Sequence, residues 1–179
     1  MRAALVSIVA VGALAIGASP AVGARVIKAQ PDRSWAVTYL GGWHVGAHPE
    51  FPKAVAALGQ PSHVKNPDIP GCRASWKRLG LTIQFESFGI AHGCDEGKAQ
   101  AAIVKGHRGR VSWRTQLGLR VGDGFAKLKR LYADARRKPG ARVIVYQDDP
   151  PIGDGSIITA LIRHHKVASF QLWLGGAGE

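Results

Sequence analysis

The 179-residue chain is short of acidic side chains, with 12 Asp and Glu against 24 Lys and Arg, and shorter still of cysteine, with two. The first shortage leaves a formal charge of +12, which draws the protein toward anionic partners and says nothing about its fold. The second leaves no C-x-x-C pair from which a zinc site could be built. Signatures of common chemistries are absent too. No G-x-S-x-G presents a nucleophilic serine, and no Gly-rich turn opens a helix with a phosphate-binding lysine. Asp148, Asp149 and Asp154 crowd one loop, but Pro150-Pro151 interrupts any calcium-loop spacing. Glu86 has no identifiable second carboxylate for glycoside cleavage. No cofactor or metal is expected, and the chain reads as non-catalytic.

What is present is a hydrophobic fraction of 46%, too high for a disordered basic tail and suited to a packed core. Its longest apolar run lies at the start. Arg2 precedes Ala3 to Ile16, broken only by Ser7 and Gly12, and Val22-Gly23-Ala24 offers a small-x-Ala cleavage pattern. A membrane-spanning helix needs about 18 to 20 apolar residues, and this run falls short. Residues 1–24 are therefore expected to be a signal peptide, and the rest a secreted or extracytoplasmic protein. Arg2 is the only charge lost, so the mature chain keeps all but one of the +12. In an oxidising compartment Cys72 and Cys94 read first as a disulfide. The competing metal reading would recruit His92 and His63 beside the two thiolates.

Internal similarity suggests two tandem repeats. Gly42-Trp43-His44-Val45-Gly46 matches Gly118-Leu119-Arg120-Val121-Gly122 in its Gly, Val and Gly. Each is followed by a helical pattern and then by alternating, strand-like segments. The spacing predicts one helix over about Glu50 to Leu58. A second is expected with Asp123 as N-cap, running through Phe125, Leu128, Leu131, Tyr132 and Ala135 to a stop at Pro139-Gly140. Strands are expected at Ala74–Lys77, Leu81–Ser87, Val143–Gln147, Ser156–Arg163 and Val167–Leu174, with a short one near Trp113. The expected fold is α+β, two repeats of a helix packed on an antiparallel sheet. The first repeat would occupy residues 25–88, a Gly-rich linker 89–112, and the second repeat 113–179.

The order of Gly46, a short helix, Leu58-Gly59-Gln60-Pro61, Trp76 and the alternating strand Leu81 to Phe85 resembles a small helix-plus-sheet module. It is shared by the SmpA/OmlA outer-membrane assembly lipoproteins and the secreted beta-lactamase inhibitor proteins. Gly122, Leu128 and Leu131-Tyr132 extend the likeness to the second half. The resemblance implies the tandem fold and non-catalytic binding. It carries over no binding residue, since the inhibitors' contacts lie in loops and on a concave sheet face that do not align residue by residue with this sequence; Gly46-Ala47-His48 and Gly122-Asp123-Gly124 also stand where the family usually opens its helix with Gly-Met-Thr.

The first functional expectation is an exported binding module recognising an envelope component or an extracellular protein, with inhibition of an enzyme as one form of such binding. The alternative is a structural envelope protein associating with polyanions, and an enzyme of unknown class comes third. Export makes an anionic envelope polymer or an extracellular protein more accessible than nucleic acid. The candidate surface comprises Trp76, Trp113 and Trp173, the cations Lys127, Arg130 and Arg137 around the second helix, and the turn residues His164 and His165.

Overall fold

The computed structural model describes residues 25–29, 37–46, 49–66, 70–87, 93–106, 112–147 and 156–175. The expected signal peptide lies outside them. The chain opens with three strands, β1 (Arg25–Ala29), β2 (Val37–Leu40) and β3 (Trp43–His44), followed by helix α1 (Phe51–Leu58). Pro52 falls in the first helical turn, where a missing N–H removes no intrahelical bond. Ala54 and Leu58 are buried, and the chain leaves the helix at Gly59 with φ of 83°.

Strands β4 (His63–Lys65), β5 (Cys72–Trp76), β6 (Leu81–Glu86) and β7 (Lys98–Lys105) come next. In β6 burial alternates residue by residue, as its Leu-Thr-Ile-Gln-Phe-Glu sequence requires of a strand with one covered face. Strand β8 (Trp113–Thr115), helix α2 (Phe125–Leu131) and strands β9 (Arg136–Lys138), β10 (Arg142–Gln147), β11 (Ser156–Arg163) and β12 (Lys166–Trp173) complete the described chain.

These elements form two sheets, not two helix-on-sheet repeats. One has four strands in the order β3-β2-β1-β8, and its β1–β8 pair is parallel. The other has eight, in the order β4-β5-β6-β7-β12-β11-β10-β9, with every neighbouring pair antiparallel. The expected α+β repeat architecture is thus incorrect: the described residues are mostly β, with two short α-helices among them. Two segments account for the difference. Residues 98–105, inside the expected linker, form β7 and pair with both β6 and β12. The expected last turn of the second helix is instead β9, whose residues gain ladder partners in β10. Helix α2 therefore stops at Leu131 and buries only Leu128 completely along its own length.

The four-stranded sheet and both helices cover one face of the eight-stranded sheet, and a single apolar core lies between the layers. Phe85 is central to it. Phe51 of α1 meets its ring edge-on at 5.3 Å between centroids, and Trp43 of β3 lies 6.4 Å away. Indole N–H groups tie the layers at two further points. Trp76 donates to the Gly59 carbonyl and Trp113 to the Leu79 carbonyl, each at 2.6 Å. The Cys72–Cys94 disulfide fastens β5 to the segment entering β7, with Cα atoms 5.1 Å apart. Gly71, just before Cys72, has φ of 113°, and a Cβ there would run into the Phe85 carbonyl oxygen.

Candidate binding face

The candidate residues separate once they are placed. Trp76 and Trp113 are 3% and 1% exposed and belong to the core, so neither can contact a partner. That corrects their assignment to a binding surface. Their rings satisfy the hydrophobic term while their N–H groups find carbonyls, the arrangement a buried Trp needs. Trp173 is different: it is 38% exposed, near the end of β12.

The cations around α2 do not gather beside Trp173. They lie by the helix that covers the opposite face of the sheet. Lys127 makes an i,i+4 ion pair of 2.7 Å with Asp123, and the same carboxylate oxygen accepts from the Arg120 N–H at 2.7 Å. Asp123 thus caps the turn before the helix; the N-cap itself is Gly124. The Arg137 guanidinium sits 4.8 Å from the Phe125 ring centroid, a cation–π contact that joins β9 to α2. Arg130 is exposed on the helix. His164 and His165 form the two-residue connection between β11 and β12, both exposed and both at positive φ, 47° and 60°. They occupy the two central positions of a tight hairpin turn. Cys72 and Cys94, joined to each other, have no thiolate left for a metal.

Strand register shows what surrounds Trp173. On the face of the eight-stranded sheet away from the core, Lys65 stands opposite Arg73, Arg73 opposite Gln84, Gln84 opposite Ala101, and Ala101 opposite Trp173. The next row runs His63, Ser75, Thr82, Ile103, Gln171, continuing to Thr159 and Ile144. A third row sets Lys105 opposite Ser169. Ile103 is 37% exposed and lies diagonally from Trp173, about 7–8 Å away for such a pair and within reach of an indole. Over β4 to β7 and the Gln171–Trp173 end of β12 this face is open, whereas Ser169 toward the other end of β12 is 5% exposed. Over β10 and β11 it is closed, since Ile144 and Thr159 are each 7% exposed.

Ile103 and Ala101 escaped the sequence reading because their strand did. The signal was present in Ala99-Gln100-Ala101-Ala102-Ile103-Val104, but the residue facing the core changes parity at a β-bulge. Phe85 pairs with Ala99 while Gln84 pairs with Ala101, so Gln100 is the extra residue. Glu86 does acquire neighbours: Lys98 stands opposite it, and Glu50 bridges to the other side of Lys98. These are backbone pairings, and Glu50 Oε2 is buried without a hydrogen-bond partner among the described residues. Glu86 also accepts from the Gln84 amide at 2.9 Å.

A second, smaller aromatic feature decorates the four-stranded sheet. Tyr39 and His44, cross-strand partners, stack with centroids 4.4 Å apart and planes 4° from parallel, and the Lys28 ammonium lies 5.5 Å from the tyrosine centroid. Among the described residues no three His, Cys, Asp or Glu gather as a metal site, and no helix is long and apolar enough to cross a membrane.

No family model matches the chain, and no curated protein matches it. The resemblance to SmpA/OmlA and inhibitor modules therefore gains no support, and its tandem fold is replaced by the two sheets described above. One solved structure is partly similar, an extracellular protein containing a SCP domain from Bacillus anthracis str. Ames. The two share 13% identity, the match covers 71% of this chain and 43% of that one, and the TM-score is 0.39. The chain thus spans less than half the length of that protein, and a likeness at this score carries no functional argument.

Proposed function

We propose that the protein is an exported, non-catalytic binding module that recognises an extracellular protein or an envelope component through the open face of its eight-stranded sheet. One observation carries this reading: Trp173 and Ile103 stand exposed and adjacent on a sheet face whose core side is already filled. Exposed large apolar side chains are ordinary when scattered, but a Trp on rigid strands beside a second apolar residue is the usual make-up of an interface anchor. The disulfide supports an oxidising compartment outside the cytoplasm.

The test is affinity capture with the mature protein, residues 25–179, from culture supernatant and envelope extract, run beside Trp173→Ala. Recovery of one defined partner by the wild type and its loss with Trp173→Ala supports the module, and activity assays on that partner then settle whether binding inhibits it. Equal recovery by both forms removes the open face from consideration. Broad polymer association that rising salt releases supports the polyanion-associating envelope protein in its place.

A further inference from the structure

The charges around the open face describe the partner more closely, and this inference rests on the binding reading above. Lys65 and Arg73 are directly opposite one another along one flank, a like-charge pair that is unfavourable in the protein alone. Lys105 marks one end of β7, exposed, and Lys98 the other, where its pairing with Glu86 and Glu50 leaves the row with a net negative charge. Between these limits Gln84, Thr82, Ala101, Ile103, Gln171 and Trp173 are uncharged. The uncharged centre is thus bounded by positive charge on two sides and by a net negative corner on a third, which turns an acidic partner toward Lys65, Arg73 and Lys105.

Dimensions limit what fits. From β4 to β12 there are four interstrand steps, roughly 19 Å, and from Lys98 to Lys105 along β7 roughly 23 Å, so the open area is on the order of 400 Å². That is about half of one side of a standard protein interface. It suits one protruding segment. A linear polyanion is a poor match, because its repeating charges would cross an uncharged middle containing Trp173. A second copy of this chain would bring like charges together.

We infer that the occupant is a protruding, acidic loop of a folded extracellular protein. One large apolar side chain of that loop seats against Trp173, Ile103 and Ala101, and carboxylates beside it meet Lys65, Arg73 and Lys105. The apolar seat sets the lifetime of the complex, and the flanking charges set its rate of formation and its orientation.

The experiment uses the mature protein and three defined probes. Two are disulfide-cyclised peptides with the same central Trp, one flanked by Asp and Glu and the other by Lys. The third is poly-L-glutamate. Affinity is measured by titration calorimetry at low and high salt, and side-chain NMR follows the Trp173 indole. The acidic peptide should move the Trp173 signal and bind at least roughly tenfold more tightly than the basic one, with a preference that shrinks as salt rises. Arg73→Glu combined with Lys65→Glu should reverse the preference, a gain of binding to the basic peptide that misfolding cannot imitate. Trp173→Ala should weaken the acidic peptide roughly tenfold or more. If both peptides move the Trp173 signal with equal affinity, the face binds but the acidic-loop inference is overturned. If poly-L-glutamate binds as tightly as the acidic peptide and does so without Trp173, a polyanion is the occupant and the inference is likewise overturned. If no probe moves Trp173, the open face is not a binding site and both readings fail.

Discussion

Two tryptophans that look alike in the sequence should respond by very different amounts to the same substitution. Trp113 is 1% exposed and donates its indole N–H to the Leu79 carbonyl at 2.6 Å in a buried setting. Trp113→Phe leaves that carbonyl without its donor, at about 1–3 kcal/mol. It also removes roughly 40 Å³ of side chain, which at about 24 cal/mol per Å³ of cavity adds about 1 kcal/mol. The expected loss is about 2–4 kcal/mol, a large share of the roughly 5–15 kcal/mol that holds a domain together. Trp173→Phe, at 38% exposure, should cost less than about 1 kcal/mol. Urea unfolding followed by far-ultraviolet circular dichroism measures both without relying on indole fluorescence. A loss below about 1 kcal/mol at Trp113, or a larger loss at Trp173 than at Trp113, would refute the assignment of one ring to the core and the other to the surface. Partner binding should show the reverse order, with Trp173→Ala reducing it.

Three further outcomes follow from local features. Replacing Cys72 and Cys94 together by Ala should lower stability by about 3 kcal/mol, because the bridge closes a loop between residues 22 apart, and urea midpoints with an unchanged slope would register it. Changing His164-His165 to Asn-Gly should raise stability by about 0.5–1 kcal/mol, since both positions hold left-handed φ values that these residues adopt more readily; destabilisation would show that the imidazoles hold the hairpin by contacts of their own. Burial raises the Tyr132 phenol above its ordinary 10.0, against the opposing hydrogen bond to Thr115. The folded state then holds that proton more tightly than the unfolded state does. Its contribution is intact below pH 10 and is lost as pH climbs through the folded-state value, so Tyr132→Phe should flatten the alkaline decline in stability seen by chemical unfolding.

Helix α1, the β5–β6 hairpin and strands β10 to β12 were all legible because each declares itself within a few residues. Alternation in Leu81 to Glu86, proline in a first helical turn and the tight turn expected after Arg163 are local signals, although the turn is one residue shorter than the sequence suggests because β12 begins at Lys166. The disulfide was legible from compartment and number alone. The sheet arrangement was not. Whether β1 joins β8 in parallel, or β7 takes both β6 and β12 as neighbours, depends on pairings between residues far apart in sequence, which no window contains. The bulge at Gln100 compounded this by breaking the period of two in β7. Arg136 to Lys138 read as a helical last turn because cations there complement a helix dipole, yet the same residues serve equally well on β9, an edge strand that charge keeps from pairing further.

The same ambiguity governs the candidate site. Cations on a helix are conspicuous in a sequence, and they drew attention to Lys127 and Arg137, whose charges are occupied locally by Asp123 and by the Phe125 ring. Cations on strands are less conspicuous, because an alternating pattern identifies two faces without saying which one the rest of the protein covers. Lys65, Arg73 and Lys105 acquire meaning only when the four-stranded sheet and both helices fill the other side. Trp173 follows the same rule. Its neighbours Leu172 and Leu174 are 3% and 1% exposed, so a shift of one residue in the β12 register would bury the indole and expose both leucines. The core therefore determines the proposed binding face: the register that buries Phe170, Leu172 and Leu174 is the one that leaves Trp173 beside Ile103, on the face that also carries Lys65, Arg73 and Lys105.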